Sequence, residues 1–86
     1  MKVIKTEGLN VDVNKLHRDI NSAVKRGEIN IIIDFEASKD AHPELLFILI
    51  KAHERCTEQG GIFRVTNCST ALLVMFDSSN VSEIFL

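Results

Sequence analysis

The sequence predicts a small α/β domain with a mixed, mostly parallel sheet and helices packed on it. Segments with strand character alternate with segments of helical periodicity, which gives the order β-α-β-α-β-α. The segment 29–35 is almost continuously apolar, and such a run is typical of a strand covered on both faces in a parallel sheet. A chain of 86 residues fits one domain, spanning 1–86. We expect right-handed crossovers between its strands.

The first half of the chain contains two predicted strands around one helix. Residues 2–6 form a first short strand, and Gly8 ends it. Residues 12–26 form a helix that Gly27 stops. The segment 29–35 forms the second strand. The apolar stripe of the helix consists of Val13, Leu16, Ile20, Ala23 and Val24.

The second half begins with a helix that starts at Pro43, a residue that suits the first helical turn. Glu44 is favoured beside it by the helix dipole, and Asp40 is expected to cap the helix. This helix should extend to about Gln59 and end at the glycine pair 60–61.

The last third of the chain is predicted to contain a strand and a helix. Residues 62–66 are expected to form a short buried strand, and residues 71–77 a helix capped by Ser69 or Asn67. The terminal segment 81–86 should return apolar side chains to the core.

Composition argues against several classes of function. The net charge is −2 and the basic residues are scattered, whereas binding to nucleic acid needs clustered lysine and arginine. The two cysteines, Cys56 and Cys68, share no motif and are interpreted as small core residues in a reducing compartment. The start of the chain lacks a signal-peptide run, and the longest apolar run, 45–50, is too short to span a bilayer. We therefore expect a cytoplasmic protein without direct membrane insertion.

The segment 29–85 carries an ordered series of features found together in one family. A buried strand ends near Asp34, a loop leads into a helix closed by a glycine pair, and the stretch 69–76 follows the next strand. The ending 80–85 is similar to a closing Gly-Leu-x-x-Ile-Phe. In this order and spacing the segment resembles the STAS domain, the fold of bacterial anti-sigma-factor antagonists. The resemblance implies a non-enzymatic regulatory module that binds a partner such as an anti-sigma-type kinase. Some STAS-like proteins are instead small subunits of membrane transporter complexes and bind the transporter ATPase.

Three departures from the family pattern qualify what the resemblance implies. The family loop reads Asp-Ser-Ser/Thr-Gly, and a partner kinase phosphorylates its first serine. Here Ala41 or Pro43 stands at that serine, depending on the register, and neither can accept a phosphate. The opening part is shorter than in typical members by one strand of a hairpin. Asn80 replaces a common glycine, although asparagine tolerates a left-handed backbone. The resemblance thus implies docking without the serine phosphoswitch. Whether Ser38 or another hydroxyl is phosphorylated is left open.

A partner-binding surface is predicted around the second helix. It starts with the loop and first helical turn, which comprise Asp40, Ala41, His42, Pro43 and Glu44. A helical wheel also places Phe47 and Ile50 on the charged side of the helix. An apolar pair in that position needs a cover, either a partner or the chain's own first segment or last helix.

The last predicted helix raises the same question. It is apolar all round, so one side of it cannot face a small core. Leu73 and Val74 either extend the docking surface, form a homodimer contact or are buried in this chain.

Reactive chemistry is poorly supported by the remaining polar residues. His53 and Cys56 lie one turn apart, but a structural zinc site needs four ligands. Asp34, Glu36 and Asp40 form an acidic cluster that could serve acid–base chemistry, bind magnesium, recognise a partner or simply be solvated. The sequence has no glycine-rich phosphate loop and no nucleophile elbow. We therefore predict no catalytic residue, metal or cofactor. A small nucleotide-binding enzyme remains the weaker alternative.

Overall fold

The computed structural model describes residues 1–85 and confirms the α/β class. Its strands pair in chain order and all in parallel, so the described part of the sheet is wholly parallel rather than mixed. A short helix near the end of the chain was not predicted. The elements are β1 (Lys2–Lys5), α1 (Val13–Lys25), β2 (Asn30–Asp34), α2 (Pro43–Glu58), β3 (Ile62–Thr66), α3 (Thr70–Ser78) and α4 (Ser82–Phe85).

The starts of α1 and α3 follow ordinary capping chemistry. The Asp12 carboxylate accepts a hydrogen bond from the Lys15 backbone N–H at 3.0 Å, which satisfies one of the free donors at the start of α1. Ser69 does the same for the Leu72 N–H at 3.3 Å. Of the two predicted caps for α3, Ser69 is therefore the one used. Asn67 instead has a positive φ of 56°.

The start of α2 confirms one prediction and corrects another. Pro43 occupies the first turn and Glu44 lies beside it, as expected. Asp40, however, does not cap the helix. His42 holds the capping position and makes no side-chain capping bond within residues 1–85. The physical reason is that the Asp40 carboxylate is already bonded to the Val11 backbone N–H and to His42 itself.

The helices cover only one face of the sheet. Ile4, Ile33 and Val65 are register partners on the covered face, and all three are buried. On the opposite face Val3 pairs with Ile32, and Ile32 with Arg64; of these, only Ile32 is even half-buried. The expectation that the segment 29–35 is covered on both faces is therefore wrong.

The third strand shows the same one-sided burial. Phe63 and Val65 are buried, whereas Ile62, Arg64 and Thr66 are exposed. The predicted short strand at 62–66 is therefore present, but it is buried on one face only. The cause lies in the helix arrangement, because α1 and α2 pack against each other over the same face.

Phe85 closes the core beside α2. Its ring lies 5.3 Å from the ring of Phe76 and 6.1 Å from that of Phe63, both in edge-to-face geometry. The ring of His53 on α2 lies 6.4 Å away. Val81 is also buried, so the prediction that the end of the chain returns apolar side chains to the core is confirmed for Val81 and Phe85, whereas Ile84 is 41% exposed. Leu86 lies outside the described residues.

Both cysteines are free thiols in or against the core, as predicted. Cys56 is buried and Cys68 packs partly buried against the core. Burial raises the pKa of the Cys68 thiol to about 11 and also raises that of Cys56. Both thiols are therefore protonated at neutral pH, the form in which sulfur is a poor nucleophile.

The glycine pair after α2 permits a close backbone approach. A Cβ atom built on Gly61 would lie 1.9 Å from the carbonyl oxygen of Ile29, so a side chain cannot be accommodated there without backbone movement. The Gly61 N–H donates to the Cys56 carbonyl at 2.8 Å and completes the helix end. No helix within residues 1–85 combines the length and the apolar character needed to cross a membrane.

Candidate functional site

The loop between β2 and α2 is tied to the segment that follows β1. The Ser38 hydroxyl lies 2.8 Å from that of Thr6 and donates to the Gly8 carbonyl at 3.0 Å. The backbone N–H of Lys39 donates to the Leu9 carbonyl at 2.9 Å. Ser38 is 1% exposed. Its hydroxyl holds two chain segments together and is out of reach of a kinase in this fold.

Asp34 joins the ends of β2 and β3 on the same side of the molecule. Its carboxylate accepts from the Glu36 backbone N–H at 2.9 Å and from the Asn67 amide at 3.1 Å. These two hydrogen bonds, in that order, lower the pKa of Asp34, and the positive charge of Lys5 adds to the effect. The carboxylate is therefore ionised at neutral pH and serves a structural purpose.

Asp40 is directed towards the chain itself. One carboxylate oxygen accepts from the Val11 N–H at 3.2 Å, and the other lies 2.7 Å from the His42 Nε2 atom. Of the predicted acidic cluster, Asp34 and Asp40 thus have separate partners and Glu36 is exposed. Within residues 1–85, no group of three or more histidine, cysteine, aspartate or glutamate side chains comes together to hold a metal ion.

The rest of the predicted docking loop reaches the surface to different extents. Pro43 and Glu44 are exposed, His42 is half-exposed, and Ala41 packs partly buried against the core. Phe47 lies one turn after Pro43 on the same side of α2. The structure therefore places Pro43, Glu44 and Phe47 on one exposed strip of the helix.

Phe47 is the one exposed phenylalanine in the described part of the protein. Its side chain is 71% exposed, so neither the first segment nor the last helix covers it. Ile50 behaves differently, because it is half-buried and packs against the core. The two residues that the helical wheel grouped together therefore differ, and Phe47 alone lacks a cover within residues 1–85.

Leu73 and Val74 form a second exposed apolar group. Both are exposed on α3, while Leu72 and Phe76 of the same helix are fully buried. Simple burial of Leu73 and Val74 is therefore wrong. The helix α3 packs against α4, whereas Phe47 lies on α2 beside residues of α1. The predicted surface residues thus fall into two groups on different helices.

A groove between α1 and α2, which the sequence did not reveal, runs beside Phe47. It has a volume of about 210 Å³. Its floor is apolar and is formed by Ile20, Ile48 and Ala52. The remaining lining residues are His17, Asn21, Phe47, Lys51 and Arg55. We call this site the α1–α2 groove. His17 and Asn21 are four residues apart on α1, so both side chains lie on the same face of that helix and form its wall of the groove.

The rim of the α1–α2 groove is positively charged. Lys51 and Arg55 line it, and no aspartate or glutamate is among its described lining residues. Arg55 donates from Nη1 to the Asn21 side-chain oxygen at 2.5 Å, which links the two helices across the groove. Within residues 1–85 neither Lys51 nor Arg55 forms an ion pair with a carboxylate. In the described part of the chain, both cations therefore lie at the groove without a carboxylate partner.

Comparison of the chain with family models, with curated proteins and with solved structures finds no match in any of the three. The resemblance to the STAS domain accordingly stays a prediction from the sequence.

Proposed function

We propose that this chain is a non-enzymatic interaction module that docks a partner protein through the surface around Phe47. The observation that carries this proposal is a contrast among the five phenylalanines of the chain. Phe35, Phe63, Phe76 and Phe85 are at most 2% exposed, whereas Phe47 is 71% exposed. The fold evidently has the means to bury phenylalanine, so the exposure of this one favours a role outside the core.

The energetic argument concerns what a partner gains at Phe47. Burying a phenylalanine side chain contributes about 1.5–3 kcal/mol, and aromatic residues, phenylalanine among them, are enriched at the cores of protein interfaces. Pro43 and Glu44 lie on the same exposed strip one turn earlier. They give the anchor a rigid, partly charged border. Leu73 and Val74 on α3 offer a second apolar contact for a large partner or for a second copy of the chain.

The resemblance to STAS domains supports a regulatory role in the cytoplasm, with an anti-sigma-type kinase as the partner. The alternative is that the chain is a small subunit of a membrane transporter complex and binds its ATPase. In either case docking operates without the serine phosphoswitch, because Ala41 or Pro43 stands at the switch position and Ser38 is buried.

Capture of the partner tests this proposal. A tagged full-length chain is purified from its own cells, and the co-purifying proteins are identified by mass spectrometry. We expect a kinase or an ATPase to be captured by the wild type and lost by Phe47→Asp. Ile62→Asp is the matched control, because Ile62 is 44% exposed but lies at the start of β3, on the sheet face that carries no helix.

Both variants should keep the far-UV circular dichroism and melting temperature of the wild type, since neither side chain contributes to the core. Equal capture by wild type and Phe47→Asp would refute the docking surface.

A further inference from the structure

We infer that the α1–α2 groove receives an acidic segment of the partner that carries one large apolar side chain. This inference rests on the proposed function, because it names the chemistry of the partner at the same surface. Phe47 belongs both to the proposed docking surface and to the α1–α2 groove, since it forms one border of the groove.

The apolar part of the inference follows from the floor of the groove. Ile20 and Ala52 are buried core residues whose edges still line the groove, and Ile48 is half-buried against the core. Phe47 stands beside this floor with most of its ring exposed. An apolar side chain placed there would contact both the floor and the Phe47 ring. Its surface would thereby be removed from water, which favours binding.

The acidic part follows from the rim. Lys51 is exposed and forms no ion pair in the described part of the chain, and Arg55 is held only by the neutral side chain of Asn21. The chain as a whole has a net charge of −2, so the positive charge of this groove is local. The nearest acidic residues of α2 are Glu44, Glu54 and Glu58, which are exposed and do not line the groove. Carboxylates on a partner would complement this positive rim. The same rim would repel a basic partner.

The shape of the site favours a helical or extended segment over a small ligand. The groove lies between two helices that pack side by side and are linked by Arg55 and Asn21. An amphipathic segment fits such a groove with its apolar residues inward and its charges along the rim. A second copy of this chain is the other candidate occupant, because Glu83 and Ile84 of α4 are an exposed acidic–apolar pair.

The test uses a pair of peptides that differ only in charge. The ¹⁵N-labelled full chain is titrated with Glu-Glu-Leu-Phe-Glu-Glu and with its twin Lys-Lys-Leu-Phe-Lys-Lys. We expect the acidic peptide to shift the amide signals of His17, Asn21, Phe47 and Lys51, and the basic twin to leave them unchanged. Raising the salt concentration should weaken the binding because it screens the rim charges.

A charge-reversal variant provides the second measurement. Lys51→Glu should lower the affinity of the chain for the acidic peptide about tenfold, in the range measured for complementary charges at interfaces. Lys5→Glu is the matched control, because Lys5 is an exposed lysine on β1 that borders the opposite flank of α1, beside Lys15 and Asp19, and does not line the groove. Its effect should stay within about twofold, since charges beyond a Debye length are largely screened. Unchanged circular dichroism for both variants excludes loss of the fold as the cause.

Three results would overturn the inference. They are equal binding of the two peptides, no binding of the acidic one, and shifts of the groove signals that depend on protein concentration without any peptide. The last result would assign the groove to a second copy. Failure of this inference is distinguishable from failure of the proposed function. If Phe47→Asp loses partner capture but the chain shows no preference between the two peptides, the docking function stands and the acidic occupant of the groove is refuted. If the chain prefers the acidic peptide but Phe47→Asp still captures the partner, the groove binds acidic segments and the proposed docking function is refuted.

Discussion

The two sides of α2 use the same kinds of residue for opposite purposes. On the side that faces the sheet, Leu45, Leu49, Ala52 and Cys56 are at most 1% exposed and join the core. On the side that faces α1 and solvent, Phe47 stands exposed beside cations that no carboxylate of residues 1–85 neutralises. The comparison teaches that the apolar content of this helix exceeds what the fold needs. The excess is concentrated at one groove.

The largest expected effect separates a core phenylalanine from Phe47. Phe85→Ala should lower the free energy of unfolding by about 3–5 kcal/mol, because it removes a ring that contacts Phe63, Phe76 and His53. Phe47→Ala should change it by less than about 0.5 kcal/mol, as is usual for surface substitutions. Urea titrations of both variants, followed by circular dichroism, measure the difference. Similar losses for the two would show that Phe47 belongs to the core and would remove the basis of the comparison.

A smaller effect is expected at the buried hydroxyl pair that holds the docking loop. Ser38→Ala leaves the Gly8 carbonyl without its donor and the Thr6 hydroxyl without one partner. Removing one member of such a buried pair costs about 1–3 kcal/mol. Ser78→Ala, at an exposed serine near the end of α3, serves as the control and should be close to neutral. If Ser38→Ala proved as neutral as the control, the loop would not be fixed by these hydrogen bonds.

The smallest effect concerns the pH dependence that Asp34 contributes. Its pKa in the folded protein lies below the ordinary value of 3.8, because the Glu36 N–H and the Asn67 amide donate to the ionised form. Because the pKa is lower in the folded state, Asp34 contributes its full stabilisation at pH values above its pKa in the unfolded chain. This stabilisation is lost as the pH falls through its pKa in the folded protein.

The stability difference between wild type and Asp34→Asn should therefore be constant near neutral pH and shrink below about pH 4. Urea titrations of both proteins at a series of pH values measure it. A difference that grew as the pH fell would contradict the sign of the shift.

The elements of this fold could largely be predicted from local patterns, and the places where prediction failed depend on tertiary structure. The stripe of α1, the proline at the start of α2 and the glycine pair at its end each act within a few residues. The run of isoleucines in β2 predicted a strand correctly. It could not reveal that only one face is covered, since β-branched residues favour strands in either case.

The site was predicted in part for the same reason. The helical wheel located Phe47 on the outer side of α2, which needs only the helix itself. The α1–α2 groove requires knowing how far apart two helices lie and that Arg55 bonds to Asn21 across them. Asp40 was expected to cap α2 because of its position, but the competing bond to Val11 depends on a segment 29 residues away.

The central claim, that Phe47 anchors a partner, is tested most directly by the affinity of the captured partner for three purified chains. Dissociation constants for wild type, Phe47→Asp and Ile62→Asp are measured by isothermal titration calorimetry. We predict a loss of affinity of about 30-fold or more for Phe47→Asp, the range of an interface hot spot, and a change within about twofold for Ile62→Asp. Equal affinities for all three chains would contradict the claim.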